Sequence, residues 1–227
     1  MRPAKPVKVP GAVQNVSSSP AGRRGPGRPK AASDAAQRAA LVAGAYRLFL
    51  HTGYGGTTMD AVAAECRMSK RTLYRFFPGK ADLFAAVVDA HRQSMLALPG
   101  DYAHLPLDAA LEAIFRVDLT EQEDHARRAL LRLVLVEGPL FPELHQILEH
   151  AGADPSRAEL AAWLAAQAAA GRLVVEDATA TARILMDMMF GADLPKADGE
   201  PQKPDAAARR TRIRRCVRLF LNGTLPR

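Results

Sequence analysis

From residue 33 onward, apolar side chains recur at three- and four-residue spacing almost without a break, the period of helices with one buried face. Ser33 or Asp34 is placed to cap a first helix whose Leu41, Ala45, Leu48 and Phe49 share a face, and Gly53, Gly55 and Gly56 stop it. Thr58 caps a second helix with Met59, Val62 and Ala63 inward. Ser69 caps a third with Leu73, Phe76 and Phe77, ended by Pro78-Gly79. A fourth starts at Lys80 or Ala81, turns Leu83, Phe84, Val87 and Val88 inward, and runs toward Pro99-Gly100. Six further helical segments follow. The first covers 106–119. The second, 121–137, is apolar on nearly every side from Leu130 to Val136, which predicts the buried centre of a bundle. The third carries Phe141, Leu144, Ile147 and Leu148. Asp154 caps the fourth, with Pro155 at its first position, Leu160, Trp163 and Leu164 along it and Gly171 at its end. Asp177 opens the fifth, with Ala182, Leu185, Met186 and Met189 on one face. The last spans about 205–222, with Ile213, Cys216, Val217, Phe220 and Leu221 as its stripe. Leu173-Val174-Val175 is the one short strand candidate, so the pattern predicts an all-α fold.

Charge changes this picture at one end. Residues 1–32 hold Arg2, Lys5, Lys8, Arg23, Arg24, Arg28 and Lys30 and no acid, among six prolines and four glycines. Of 31 basic and 24 acidic residues in the chain, 24 of each remain for the rest, so the net +7 belongs to the arm. With almost nothing apolar to bury, this arm is expected to be disordered alone. A basic arm on a neutral body suits a polyanion, either nucleic acid or a membrane surface. Cys66 and Cys216 lie far apart without ligand-like spacing and read as small buried hydrophobes, with a disulfide or redox pair as the alternative. No run of 18 apolar residues exists and the basic N-terminus lacks an apolar core, so the expected location is the cytoplasm and no membrane partner is expected.

The chemistry concentrates in residues 57–80. Two helices of about two turns joined by a short turn have the dimensions of a helix-turn-helix, and small Ala63 and Ala64 allow close approach. Leu73 and Phe77 face inward, leaving Lys70, Arg71, Thr72, Tyr74 and Arg75 outside. Between 67 and 80 there are five cations and no acid. Cations and hydroxyls on the first turn of such a helix can reach base edges and phosphates. An enzyme reading has little support, for there is no glycine-rich phosphate loop, nucleophile elbow or HExxH. His145 and Glu149 could flank a metal but read as a solvated helix face; no catalytic residue, metal or cofactor is expected.

Thr57-Thr58, Val62-Ala63, Met68-Ser69, Leu73-Tyr74, Phe77, Lys80 and Leu83 resemble the DNA-binding signature of TetR-family regulators. Val136-Glu137 and Phe141-Pro142-Glu143-Leu144 are similar to a stretch common in members with an AcrR-like carboxyl domain. Arg67, Cys66 and Phe76 depart from the family's usual Gly, Ala and His or Tyr. Arg67 then either adopts a positive φ or the turn differs. The resemblance implies a helix-turn-helix DNA-binding domain at 33–80 and a larger helical domain at 81–227 for effector binding and dimerisation. It implies Thr58, Thr72, Tyr74 and Lys80 at phosphates and Lys70, Arg71 and Phe76 near bases; Tyr74 reads alternatively as a rim core residue. It also implies a homodimer on a near-palindromic double-stranded operator, acting mostly as a repressor, with a small hydrophobic effector as a further partner. Candidates for an effector pocket are Phe115, Phe141, Trp163, Met186 and Met189, each of which could equally be core. Ile213, Val217, Phe220 and Leu221 are candidates for the dimer interface, or for the chain's own core. In the arm, Arg24 to Lys30 contains an AT-hook-like Gly-Arg-Pro that suits a narrow minor groove through Arg28. A solubilising tail is its bland counterpart. The competing function is a non-specific architectural DNA-binding protein using the arm.

Overall fold

The computed structural model describes residues 33–191 and 205–225, all-helical among those residues, with no strand. The head comprises α1 (Asp34–Gly56), α2 (Met59–Glu65), α3 (Lys70–Phe76) and the start of α4 (Lys80–Met95). The body adds α5 (Leu107–Ile114), α6 (Glu121–Glu137), α7 (Glu143–Ile147), a π turn (Leu148–Ala153), α8 (Asp154–Ala169), α9 (Ala178–Phe190) and α10 (Ala206–Thr224). The arm, with Arg28, and the Pro-rich segment 192–204 lie outside the described residues.

Two apolar clusters divide the chain. The first joins Leu41, Ala45 and Phe49 of α1, Val62 and Ala63 of α2, Leu73 of α3 and Leu83 to Val88 of α4 with Leu130, Leu133 and Val134 of α6 and Leu144 of α7. The second gathers Ile114 and Phe115, Leu160 and Leu164 of α8, Leu185 and Met189 of α9, and Ile213, Val217, Phe220 and Leu221 of α10. The head therefore shares its core with the body's α6 and α7, so a displacement of these helices reaches the head through packed side chains.

Local chemistry sets the helix ends. Thr120 and Glu123 form a reciprocal capping box at α6, and Asp177 and Asp205 accept amides at the starts of α9 and α10. Three helices end in the same paired carbonyl motif, in which a residue of positive φ donates back three residues and its successor five. At α8 that residue is Gly171, as the sequence predicts. At α2 and α5 it is Arg67 (φ 53) and Arg116 (φ 51). A side chain at such a φ costs about 1 kcal/mol. Replacing Arg67 by Gly is therefore expected to stabilise the chain by about 0.5–1 kcal/mol, allowing for the freer unfolded chain. A urea melt checks this, and an unchanged or lower midpoint would count against strain at the turn.

Some expectations need correction. The run in α6 is one-faced, because only Leu130, Leu133 and Val134 are buried while Val136 is 67% exposed. Asp154 does not cap a helix: it is the first residue of α8, which continues from α7 through the π turn with helical backbone at Ala153, and Pro155 follows in its first turn. The 106–119 helix stops at Ile114, and Leu173 to Val175 form no strand.

Candidate nucleic-acid interface

The second helix of the helix-turn-helix, α3, is fixed from below. Leu73 and Phe77 are buried, and Ser69 Oγ accepts the Thr72 N–H at 3.0 Å, capping the helix. Lys70, Arg71, Tyr74 and Arg75, at i, i+1, i+4 and i+5, are exposed on one face. Tyr74 is 48% exposed, which removes it from the core. Thr58 caps α2, its hydroxyl accepting the Ala61 N–H at 3.1 Å, and is itself exposed. The turn between the helices stands on Arg67, exposed beside them.

The cations are not equally free. Lys70 Nζ lies 2.7 Å from Asp60 Oδ2 on α2, and this hydrogen bond holds the ammonium's pKa above its ordinary value. Arg75 reaches Asp34 at 2.8 Å and covers the Phe76 ring at 4.5 Å. Phe76 is half-buried against the first cluster, not free in solvent as a base contact would need. Lys80, expected at a phosphate, donates to the Tyr54 carbonyl at 2.8 Å and sits over the Tyr54 ring at 4.3 Å. Arg71 alone of the expected base contacts is exposed with no partner described.

The remaining expected site residues separate. Phe115, Trp163, Met186 and Met189 all belong to the second cluster, Phe115 fully buried against Phe190. Phe141 does not join them: it packs on the first cluster with its ring 5.3 Å from that of Tyr54. Ile213, Val217, Phe220 and Leu221 turn into the chain's own second cluster, the alternative that the sequence left open beside a partner helix. The large apolar side chains left outside on α9 and α10 are Ile184, 61% exposed, and Leu219, 58% exposed. Leu219 was detectable as an apolar residue off the stripe. Cys66 and Cys216 are free and half-buried, and burial pushes the Cys66 thiol up. Tyr54 and Glu137, which tie head to body, were missed, since only the fold brings residues 83 apart together.

Residues 41–87 match the profile of bacterial regulatory proteins of the tetR family, the span of the helix-turn-helix and its neighbours. Residues 109–223, half of the chain, match the C-terminal domain of AefR-like transcriptional repressors. The chain belongs to the TetR family. It spans about half the length of the curated relatives it matches, among them an uncharacterised HTH-type transcriptional regulator of Mycobacterium bovis, 38% identical over 52% of this chain and 56% of that one. A TetR-family regulator from Mesorhizobium loti superposes with TM-score 0.64 at 19% identity, covering 86% of this chain and 100% of that one, a likeness of fold. The flavonoid-responsive regulator FrrA superposes with TM-score 0.57 at 26% identity, covering 84% and 98%.

Proposed function

We propose that this TetR-family chain is a sequence-specific, homodimeric DNA-binding repressor of the cytoplasm, relieved by a small hydrophobic molecule. The exposed face of α3, with Arg71 free and Lys70, Tyr74 and Arg75 beside it over a buried Leu73 and Phe77, carries this reading. A guanidinium at that place can pair with guanine acceptors, while Thr58 and Thr72 stand where hydroxyls meet phosphates. Lys70 is released from Asp60 and Lys80 from the Tyr54 carbonyl when phosphates or base edges compete for them. Repression is supported by the AefR-like carboxyl domain. The second cluster around Phe115, Trp163, Met186 and Met189 is the place for an effector, and the name of the flavonoid-responsive relative points to planar aromatic compounds. Two copies joined through α9 and α10 set their α3 helices about 34–36 Å apart, one turn of DNA. An effector acts by tilting α4 and changing that separation.

A gel shift with DNA from upstream of the chain's own gene, titrated in salt against scrambled DNA, tests the reading. Specific binding is expected, and Arg71→Ala should weaken it by roughly 10–100-fold while binding to scrambled DNA changes less. Equal affinity for every fragment with a steep salt slope would favour the architectural function, carried by the arm and Arg28.

A further inference from the structure

The joint between head and body turns on one carboxylate. Glu137 is the last residue of α6, and its two oxygens accept two consecutive amides at the end of α1: Oε1 from Tyr54 N–H at 3.0 Å and Oε2 from Gly55 N–H at 2.7 Å. The chain at this point has no room for side chains. Gly53 sits at φ 75, and a Cβ there would strike the Glu137 carboxylate; one on Gly55 would meet the Phe141 ring at 3.0 Å. The turn held in this way leads straight into the helix-turn-helix. Thr57 Oγ1 donates to the Gly53 carbonyl at 2.6 Å, and Thr58 then caps α2. On the other side, Lys80, the first residue of α4, donates to the carbonyl of the same Tyr54.

The opposite end of α6 is tied as firmly. Asp124, fully buried, accepts from Arg127 at 2.7 Å and lies 3.3 Å from Arg209 Nε of α10. Arg209 also donates to the carbonyls of Phe115 and Arg116 at the end of α5. The thirteen residue steps of helix from Asp124 to Glu137 make a rod of about 20 Å. It runs from the helices α5 and α10 of the second cluster to the turn that orients α2.

We propose that Glu137 is a positioning residue that transmits the state of the carboxyl-terminal helices, through α6, to the helix-turn-helix. It rests on the DNA-binding reading above. A carboxylate suits the task because charge-assisted hydrogen bonds to two neighbouring amides fix both the distance and the angle of the turn. Leverage comes from place: α2 follows the clamped turn within a few residues and α3 packs on α2, so a small shift of the rod's end moves the exposed face of α3.

The test uses full-length chain carrying Glu137→Ala or Glu137→Gln, with Glu137→Asp as the conservative variant. Without DNA, hydrogen exchange across residues 52–66 is expected to be at least tenfold faster in the Ala variant and partly restored by Asp. With DNA from upstream of its own gene, thermal melting is followed through Trp163, the single tryptophan, which lies in α8 and reports the body. DNA should raise the wild-type melting temperature at Trp163, and the rise should fall by more than half in the Ala and Gln variants at saturating DNA. A merely structural role would lower the melts with and without DNA alike and leave the rise intact, which would overturn the proposal. Wild-type chain that binds no DNA would sink the functional reading instead. Exchange then decides alone: faster α2 amides in the variant uphold the coupling, and unchanged ones refute it.

Discussion

A chain carrying both Ile184→Glu and Leu219→Glu is expected to be monomeric at micromolar concentration and to bind its DNA about 100- to 10,000-fold more weakly than wild type. The expectation starts from what α10 has already used. Ile213, Val217, Phe220 and Leu221 are packed in the chain's own second cluster, so a partner must be met by other side chains. Ile184 and Leu219 are the large apolar residues that α9 and α10 leave outside. They belong to one surface: Cys216 Sγ, one turn before Leu219, approaches the carbonyl of Met188, one turn after Ile184, at 3.6 Å. Two copies meeting there bury four such side chains in a two-fold contact, and a glutamate at each position places four like charges in it. Losing the dimer separates the two α3 helices, and a linked second site contributes about 100- to 10,000-fold in affinity. Size-exclusion chromatography with light scattering reads the oligomer, and the gel shift reads the affinity. Ile213→Glu serves as the contrast, expected to lose its cooperative melt because it charges a buried position. A double variant that stays dimeric with unchanged binding would remove this face as the interface.

The same helix shows what sequence reveals and what it withholds. Periodicity identified α10 and its stripe, since a 3.6-residue repeat is a property of neighbouring residues. It could not say whether the stripe met the chain's own α5 and α9 or a second copy, because both demand the same apolar pattern. Phe141 met the same limit. Its spacing with Leu144 and Leu148 was legible, but which of two cores received it depended on Tyr54, 87 residues earlier. In α6 the run of apolar letters concealed that the helix turns one face to water at Val136. The head was far more legible. Thr58 and Ser69 cap where they were expected, and Arg67 takes the positive φ, one of the two outcomes left open for the turn, for these are local backbone requirements. Lys80 was placed correctly at the start of α4, yet its ammonium went to a carbonyl no local pattern could indicate.

That carbonyl belongs to a residue whose loss should destabilise the molecule strongly. Tyr54→Ala is expected to lower folding stability by about 3–5 kcal/mol, the usual cost of emptying an aromatic site in a core. The ring is buried between Phe49, Phe84 and Phe141, with centroids 5.8, 5.3 and 5.3 Å away, and lies beneath Lys80. A domain is stable by only about 5–15 kcal/mol, so the variant should unfold near physiological temperature. Tyr54→Phe keeps the ring and loses only the hydroxyl, which feels the Glu143 charge, and should cost about 1 kcal/mol. The two variants also separate in alkali. Burial, then the charge of Glu143 and the hydrogen bond to it, push the hydroxyl up to about 12 from its ordinary 10. Above pH 10 the unfolded chain releases this proton while the folded chain keeps it. The hydroxyl's contribution is therefore full below pH 10 and is lost as pH rises through about 12. Urea melts of wild type and Tyr54→Phe should differ at pH 9 and converge toward pH 12, because phenylalanine has no proton to lose. Curves that stay parallel would mean that neither burial nor Glu143 holds the hydroxyl's proton. The pin between head and body would then be the ring and the backbone alone.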